Sequence, residues 1–199
     1  MKRLDITDDL VHFIRGDTLS EAFQILKKIL GDRCLVAGTG FIRGQYRCVC
    51  FSEAPIAYLG YALLHPPPGV TYQPLGIMVK KPWLYALGGR PVIYQSDAEF
   101  YELPEHMRWR HVRYEPTQDP AVDFTWEREW RIHADVLHIS PETSRVVVPT
   151  REVSQALLTE HEREQDHLEQ QYALILDEII AWQLREEFPW EFVCIETLV

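Results

Sequence analysis

Phe124-Thr125-Trp126-Glu127-Arg128-Glu129-Trp130-Arg131-Ile132-His133 is the stretch on which the reading of this chain turns. In an extended strand, successive side chains leave on opposite faces. Alternation places Phe124, Trp126, Trp130 and Ile132 on one face, and Thr125, Glu127, Glu129, Arg131 and His133 on the other. The first face is core. The second is ionisable and suits either solvent or an active-site cleft. Arg128 interrupts the apolar face and has to snorkel or find a partner. Read from alternation alone, the ionisable face is a solvated one whose Glu and Arg side chains make weak cross-strand pairs.

Working outward, residues 10–14 read as a short apolar strand with His12 at its middle, a placement usual for a hydrogen-bonded core histidine. Asp17 to Glu21 offer helix caps, and Ala22, Phe23, Ile25, Leu26, Ile29 and Leu30 follow at helical spacing up to Gly31. Residues 34–37 and 47–51 read as strands separated by a loop carrying Gly38, Gly40 and Gly44. A short helix over residues 56–64 is broken by His65-Pro66-Pro67-Pro68-Gly69. Strands are expected over 75–79 and 91–94, with a Lys-Pro-Trp turn and Gly88-Gly89 between them, and over 146–148 and 191–198. Residues 151–187 read as mainly helical, with a polar stretch over 161–171 and an apolar stripe at Leu174, Ile175, Ile179, Ile180 and Leu184.

This mixed order favours an α+β fold over a strictly alternating one. No repeat or low-complexity linker divides the chain, so residues 1–199 are expected to form a single domain. Its core spans residues 1–150, and residues 151–199 supply a C-terminal helix and final strand. A chain of 199 residues buries roughly 70% of its unfolded surface and needs no covalent staple.

Charge narrows the partners. Twenty Lys and Arg against 30 Asp and Glu give a net charge of −10, which opposes bulk binding to a phosphate backbone. The start, MKRLDITDDLVHF, has no apolar signal core, and no apolar run approaches a membrane span. A cytoplasmic protein is expected, with Cys34, Cys48, Cys50 and Cys194 as free thiols. His161-Glu162 and His167 miss the four-residue spacing of a helical zinc motif, so no metal is expected there. Gly38-Thr39-Gly40 is too short for a phosphate cradle and reads as a turn.

A series of short motifs adds a resemblance. His12-Phe13-Ile14, the helix with Phe23 and Ile25-Leu26, Val49-Cys50-Phe51-Ser52-Glu53-Ala54-Pro55-Ile56, Gly76-Ile77 with Lys80 and Lys81, Gly89-Arg90-Pro91-Val92-Ile93-Tyr94, and Glu127 to Arg131 occur in that order. Over about residues 10 to 135 the chain resembles the AbiGi family of abortive phage-resistance proteins. More faintly it is similar to DarT-like ADP-ribosyltransferases, through the His-bearing first strand, the Ser52 to Tyr58 turn and helix, and Glu129-Trp130. The resemblance implies an ADP-ribosyltransferase-like fold of mixed and antiparallel sheets, with NAD as co-substrate and ADP-ribose transferred to a macromolecular acceptor.

In that reading Glu129 is the catalytic carboxylate and Glu127 orients the acceptor, while His12 contacts the ribose and Ser52 and Tyr58 line the nicotinamide pocket. The arginine that DarT proteins place just before their Ser-Pro turn is replaced here by Glu53, and Arg47 is the substitute at hand for cofactor binding. Glu127-Arg128-Glu129 also matches the Glu-x-Glu of arginine-modifying transferases. Those enzymes carry an Arg on the first strand, whereas Arg15 comes three residues after His12. The role implied is in phage defence or a toxin–antitoxin pair. The rival expectation is a non-catalytic interaction module of the same fold, an antitoxin-like partner whose acidic surface steers onto a basic protein.

Overall fold

β1 (Asp9–Arg15) leads into α1 (Leu19–Asp32), whose start is written in local chemistry. The Glu21 amide donates to Thr18 Oγ1 at 3.1 Å, and the Glu21 carboxylate accepts the Asp17 amide at 2.9 Å. One donor that the first turn leaves unpaired is thereby satisfied, together with the amide that precedes the cap. Ala22, Leu26 and Leu30, four residues apart, are the buried stripe of α1. The helix ends at Arg33, in a left-handed conformation at φ 50°.

The computed structural model describes residues 6–40, 42–64 and 72–198, without the side chains of residues 58 and 60–62. Later elements are β2 (Cys34–Val36), β3 (Cys48–Ser52), α2 (Ile56–Leu64), β4 (Tyr72–Lys80), α3 (Lys81–Ala86), β5 (Arg90–Pro91), β6 (Ile93–Gln95) and β7 (His111–Arg113). They are followed by β8 (Glu129–His133), β9 (Val136–His138), β10 (Ser144–Val148), α4 (Arg151–Ala173), α5 (Glu178–Gln183) and β11 (Phe192–Cys194). The main sheet runs β11-β10-β4-β1-β3-β8-β5, and β2-β9 and β6-β7 form two small ladders. Every neighbouring pair in the main sheet is antiparallel except β10 with β11. This is a mixed α+β architecture. The final strand joins the sheet beside β10, so residues 192–194 are part of the core layer.

Period-two alternation sorts the sheet into two packed faces. Leu10, Ile14, Val49, Phe51, Ile77, Trp130 and Ile132 face α1 and Leu157 of α4. Val11, Phe13, Met78 and Val147 face Leu63 of α2 and Ile195. Gly76 permits the closest approach between β4 and β1, because a Cβ there would stand 2.5 Å from the His12 carbonyl oxygen.

Several sequence expectations are corrected. The 124–133 stretch is not one strand: residues Thr125–Glu127 form a 3₁₀ turn, Arg128 is left-handed at φ 45°, and only Glu129–His133 are extended. Asp123 Oδ1 accepts from the Thr125 amide and hydroxyl at 2.8 and 2.6 Å, local bonds that compete with strand pairing. Phe124 and Trp126 therefore leave the core and stand 46% and 49% exposed.

The Lys-Pro-Trp turn is the start of α3, where Pro82 costs no intrahelical donor. The 91–94 strand is two pieces in two sheets, β5 pairing with β8 and β6 with β7. The final strand is shorter than residues 191–198, giving way to a 3₁₀ turn at Ile195–Thr197. The expected helix over 151–187 breaks after Ala173 and resumes at the Asp177 cap, and its apolar stripe is left exposed. The break at residues 65–69 lies outside the described residues. Among the described residues no helix is long and apolar enough to cross a membrane.

Candidate functional site

The site begins with a register. Val11 of β1 pairs with Ser52 of β3, and Ser52 pairs in turn with Glu129 of β8, so three strands bring their side chains into one row. β1 meets β3 in register only at that one position, whereas it pairs with β4 along most of its length. His12 Nδ1 donates to the Cys50 carbonyl at 2.8 Å, a side chain bonding where ladder pairing has ended. Above this opening lies a cavity of about 590 Å³. Its floor carries His12, Arg15, Ser52, Tyr72, Glu127 and Glu129, and its walls are largely apolar, with Phe13, Ile42, Leu59 and Trp126 among them. That size and that pairing of apolar walls with a few polar groups are typical of small-molecule sites, which run from roughly 300 to 1,000 Å³.

Each polar group is held by specific partners. Ser52 Oγ donates to the Glu127 carbonyl at 2.7 Å and accepts the Ala54 amide at 3.1 Å, so it fastens the 125–127 turn to β3. Tyr94 Oη accepts the Glu129 amide at 3.1 Å and donates to the Phe124 carbonyl at 3.2 Å. Burial pushes the Tyr94 hydroxyl up to about 12. Arg15 Nη2 donates to Tyr72 Oη at 2.9 Å.

Arg131 lies two residues after Glu129 on the same strand face and clamps it, Nε to Oε1 at 2.8 Å and Nη2 to Oε2 at 3.1 Å. Its Nη1 donates to the carbonyls of Trp109 and His111 at 3.0 and 2.9 Å. Arg131 is buried, which corrects the expectation of a solvated face.

Two titrations stand apart. Burial pushes the Glu127 carboxyl up to about 7, with Glu129 adding to the shift and Arg15 opposing it. Burial also lowers the pKa of His12, so its imidazole is neutral. With Nδ1–H committed to Cys50, the neutral ring keeps Nε2 as an acceptor. Cys50, on the same floor, is pushed strongly up by burial and is not a nucleophile at neutral pH.

Of the residues singled out in the sequence, His12, Ser52, Glu127 and Glu129 meet at this cavity. Arg47 does not line it: its guanidinium pairs with Asp135 at 2.7 Å and donates to the Ala37 carbonyl at 3.1 Å. The Tyr58 side chain lies outside the described residues. Arg15 supplies the cation instead. β1 shifts register between Phe13 and Arg15, and that shift brings Arg15 opposite Tyr72. Tyr72 was not identified from the sequence, since it lies in no recognisable motif, and Trp126 is read there as a core residue. Gly38 and Gly40, read as a plain turn, form part of the cavity wall.

Glu53 is structural, accepting from Trp130 Nε1 at 2.6 Å and Lys81 Nζ at 2.5 Å. The four cysteines are free thiols, and only Cys48 is fully buried. Among the described residues no three His, Cys, Asp or Glu side chains are grouped to hold a metal ion.

Fold and site together define a mixed α+β protein with a small-molecule-sized cavity lined by residues of its central strands. Comparison with protein-family models, with curated proteins and with solved structures gives no match.

Proposed function

We propose that the chain is an ADP-ribosyltransferase-like protein of phage defence or a toxin–antitoxin system, cleaving NAD at the nicotinamide–ribose bond and passing ADP-ribose to a macromolecule. The observation that carries this reading is the convergence of β1, β3, β8 and the 125–127 turn, which brings His12, Ser52, Glu127 and Glu129 to one cavity. Neutral His12 offers Nε2 to a ribose hydroxyl. Glu129, immobilised by Arg131, faces the anomeric carbon where positive charge grows as nicotinamide departs. A fixed carboxylate at that point stabilises the transition state more than the ground state. Glu127, whose carboxyl titrates near 7, takes the proton of the incoming acceptor as its new bond to the ribose carbon forms.

Nicotinamide release from NAD, followed by chromatography, tests the assignment. Glu129→Gln is expected to lower turnover by about 10²-fold or more, the scale of a lost electrostatic contact, and His12→Ala to weaken NAD binding. Full turnover in Glu129→Gln would sink the assignment. A second reading, a non-catalytic interaction module with the same fold, is favoured by one feature: both Glu129 oxygens are already occupied by Arg131. Calorimetry showing no heat with NAD would move the conclusion to that reading.

A further inference from the structure

Away from the cavity, the α4–α5 unit presents an apolar edge that no described residue covers. Nine of the twenty large apolar side chains that stand exposed among the described residues fall between positions 168 and 184. Leu174 and Ile175 are 85% and 84% exposed, and Ile179 and Trp182 are 68% and 62% exposed. Exposed apolar side chains are usually scattered singly, and a contiguous group of this kind marks an interaction surface. Only Ala181 of α5 is buried, so the helix does little to close the core. Even so, the unit is tied into one piece: Arg185 bridges Asp166 and Glu169 at 2.6 Å each, and His161 Nε2 donates to the Glu186 carbonyl at 2.8 Å.

Charge identifies the occupant. Residues 151–187 contain ten Asp and Glu, three Arg and no Lys, so a net −7 of the chain's −10 is concentrated here. Asp177, Glu178, Glu186 and Glu187 stand exposed around the apolar edge. A second copy meeting this face would set exposed carboxylates against carboxylates, and an anionic lipid surface is repelled for the same reason. A cationic chain with one apolar side satisfies both features at once. We propose that the α4–α5 edge is a docking surface for a basic amphipathic protein helix. Its apolar side lies over Leu174, Ile175, Ile179 and Trp182, and its Lys or Arg side chains meet the surrounding carboxylates. The proposal holds whether or not the cavity turns over NAD.

The full chain is titrated with two labelled helical peptides of the same length, one of Leu and Lys and the other of Leu and Glu, and anisotropy is read. The Leu/Lys peptide is expected to bind at least ~10-fold tighter, and to weaken as salt rises from about 0.05 to 0.5 M. The double variant Ile175→Ser/Ile179→Ser, at exposed positions where the fold is not strained, is expected to lose about tenfold or more in affinity with its melting temperature unchanged. Glu186→Lys/Glu187→Lys is expected to narrow or reverse the preference between the peptides. Equal affinity for both peptides, or no effect of either variant, overturns the proposal. So does light scattering that shows a dimer dispersed by Ile179→Ser, which assigns the edge to a second copy. Vesicle binding by phosphatidylglycerol that the double variant abolishes assigns it to lipid instead, with the same consequence.

Discussion

Replacing Glu127 by Gln removes a charge from a carboxyl that folding makes harder to ionise. Its pKa rises from 4.5 to about 7, chiefly through burial and secondly through Glu129. At ~1.4 kcal/mol per pH unit, that displacement corresponds to about 3 kcal/mol. The side chain remains partly open to the cavity, so solvent screening reduces the figure to about 1–2 kcal/mol. The folded chain holds this proton more tightly than the unfolded one. Its contribution is fully present below 4.5, where both states are protonated, and is lost as pH rises through about 7. Gln is neutral at every pH and close in shape. Glu127→Gln should therefore match the wild type at about pH 4 and exceed it at about pH 8 by ~1–2 kcal/mol, or ~2–6 °C in melting temperature. Circular-dichroism melts at the two pH values decide the matter. An equal gain at both values, or a loss at the higher one, would refute the argument, because either result puts the effect in packing rather than in ionisation. In the same variant, if the cavity transfers ADP-ribose, acceptor modification should lose its rising limb near neutral pH while NAD binding persists.

Three further substitutions probe the framework. Arg131→Met leaves Glu129 uncompensated and two carbonyls without their donor, and should cost about 3–5 kcal/mol in urea unfolding; a loss under ~1 kcal/mol would mean that the clamp is solvated. Gly76→Ala places a methyl 2.5 Å from the His12 carbonyl oxygen, and should cost about 1–3 kcal/mol and spread β4 from β1. Unchanged stability there would show that the strands part freely. Thr18→Ala removes the cap of α1 at a cost of about 1 kcal/mol, recoverable with Ser but not with Val, as read in paired thermal melts.

Much of the fold was legible because it rests on short-range rules. The capping residues of α1, the apolar run of β1 and the placement of β3 follow from neighbours along the chain. The α+β class follows from the order of those elements. Pairing of His12, Ser52 and Glu129 came from motif resemblance, and the sheet then set them on adjacent strands. Local rules failed where side chains compete with the backbone. Asp123 and Ser52 fold residues 124–128 into a turn that alternation alone had read as strand. Arg47 and Arg15 exchanged places for a similar reason: Asp135 captures the first, and a register shift in β1 brings the second to Tyr72.

Charge, composition and the acidic character of the C-terminal third belong to the sequence itself, because they are sums over residues and need no geometry. The cavity, the neutral His12, the raised Glu127 and the buried Arg131–Glu129 clamp belong to the tertiary structure. Each depends on which groups lose water and which partners replace it, and the carbonyls that hold Arg131, His12 and Ser52 come from 20 to 75 positions away.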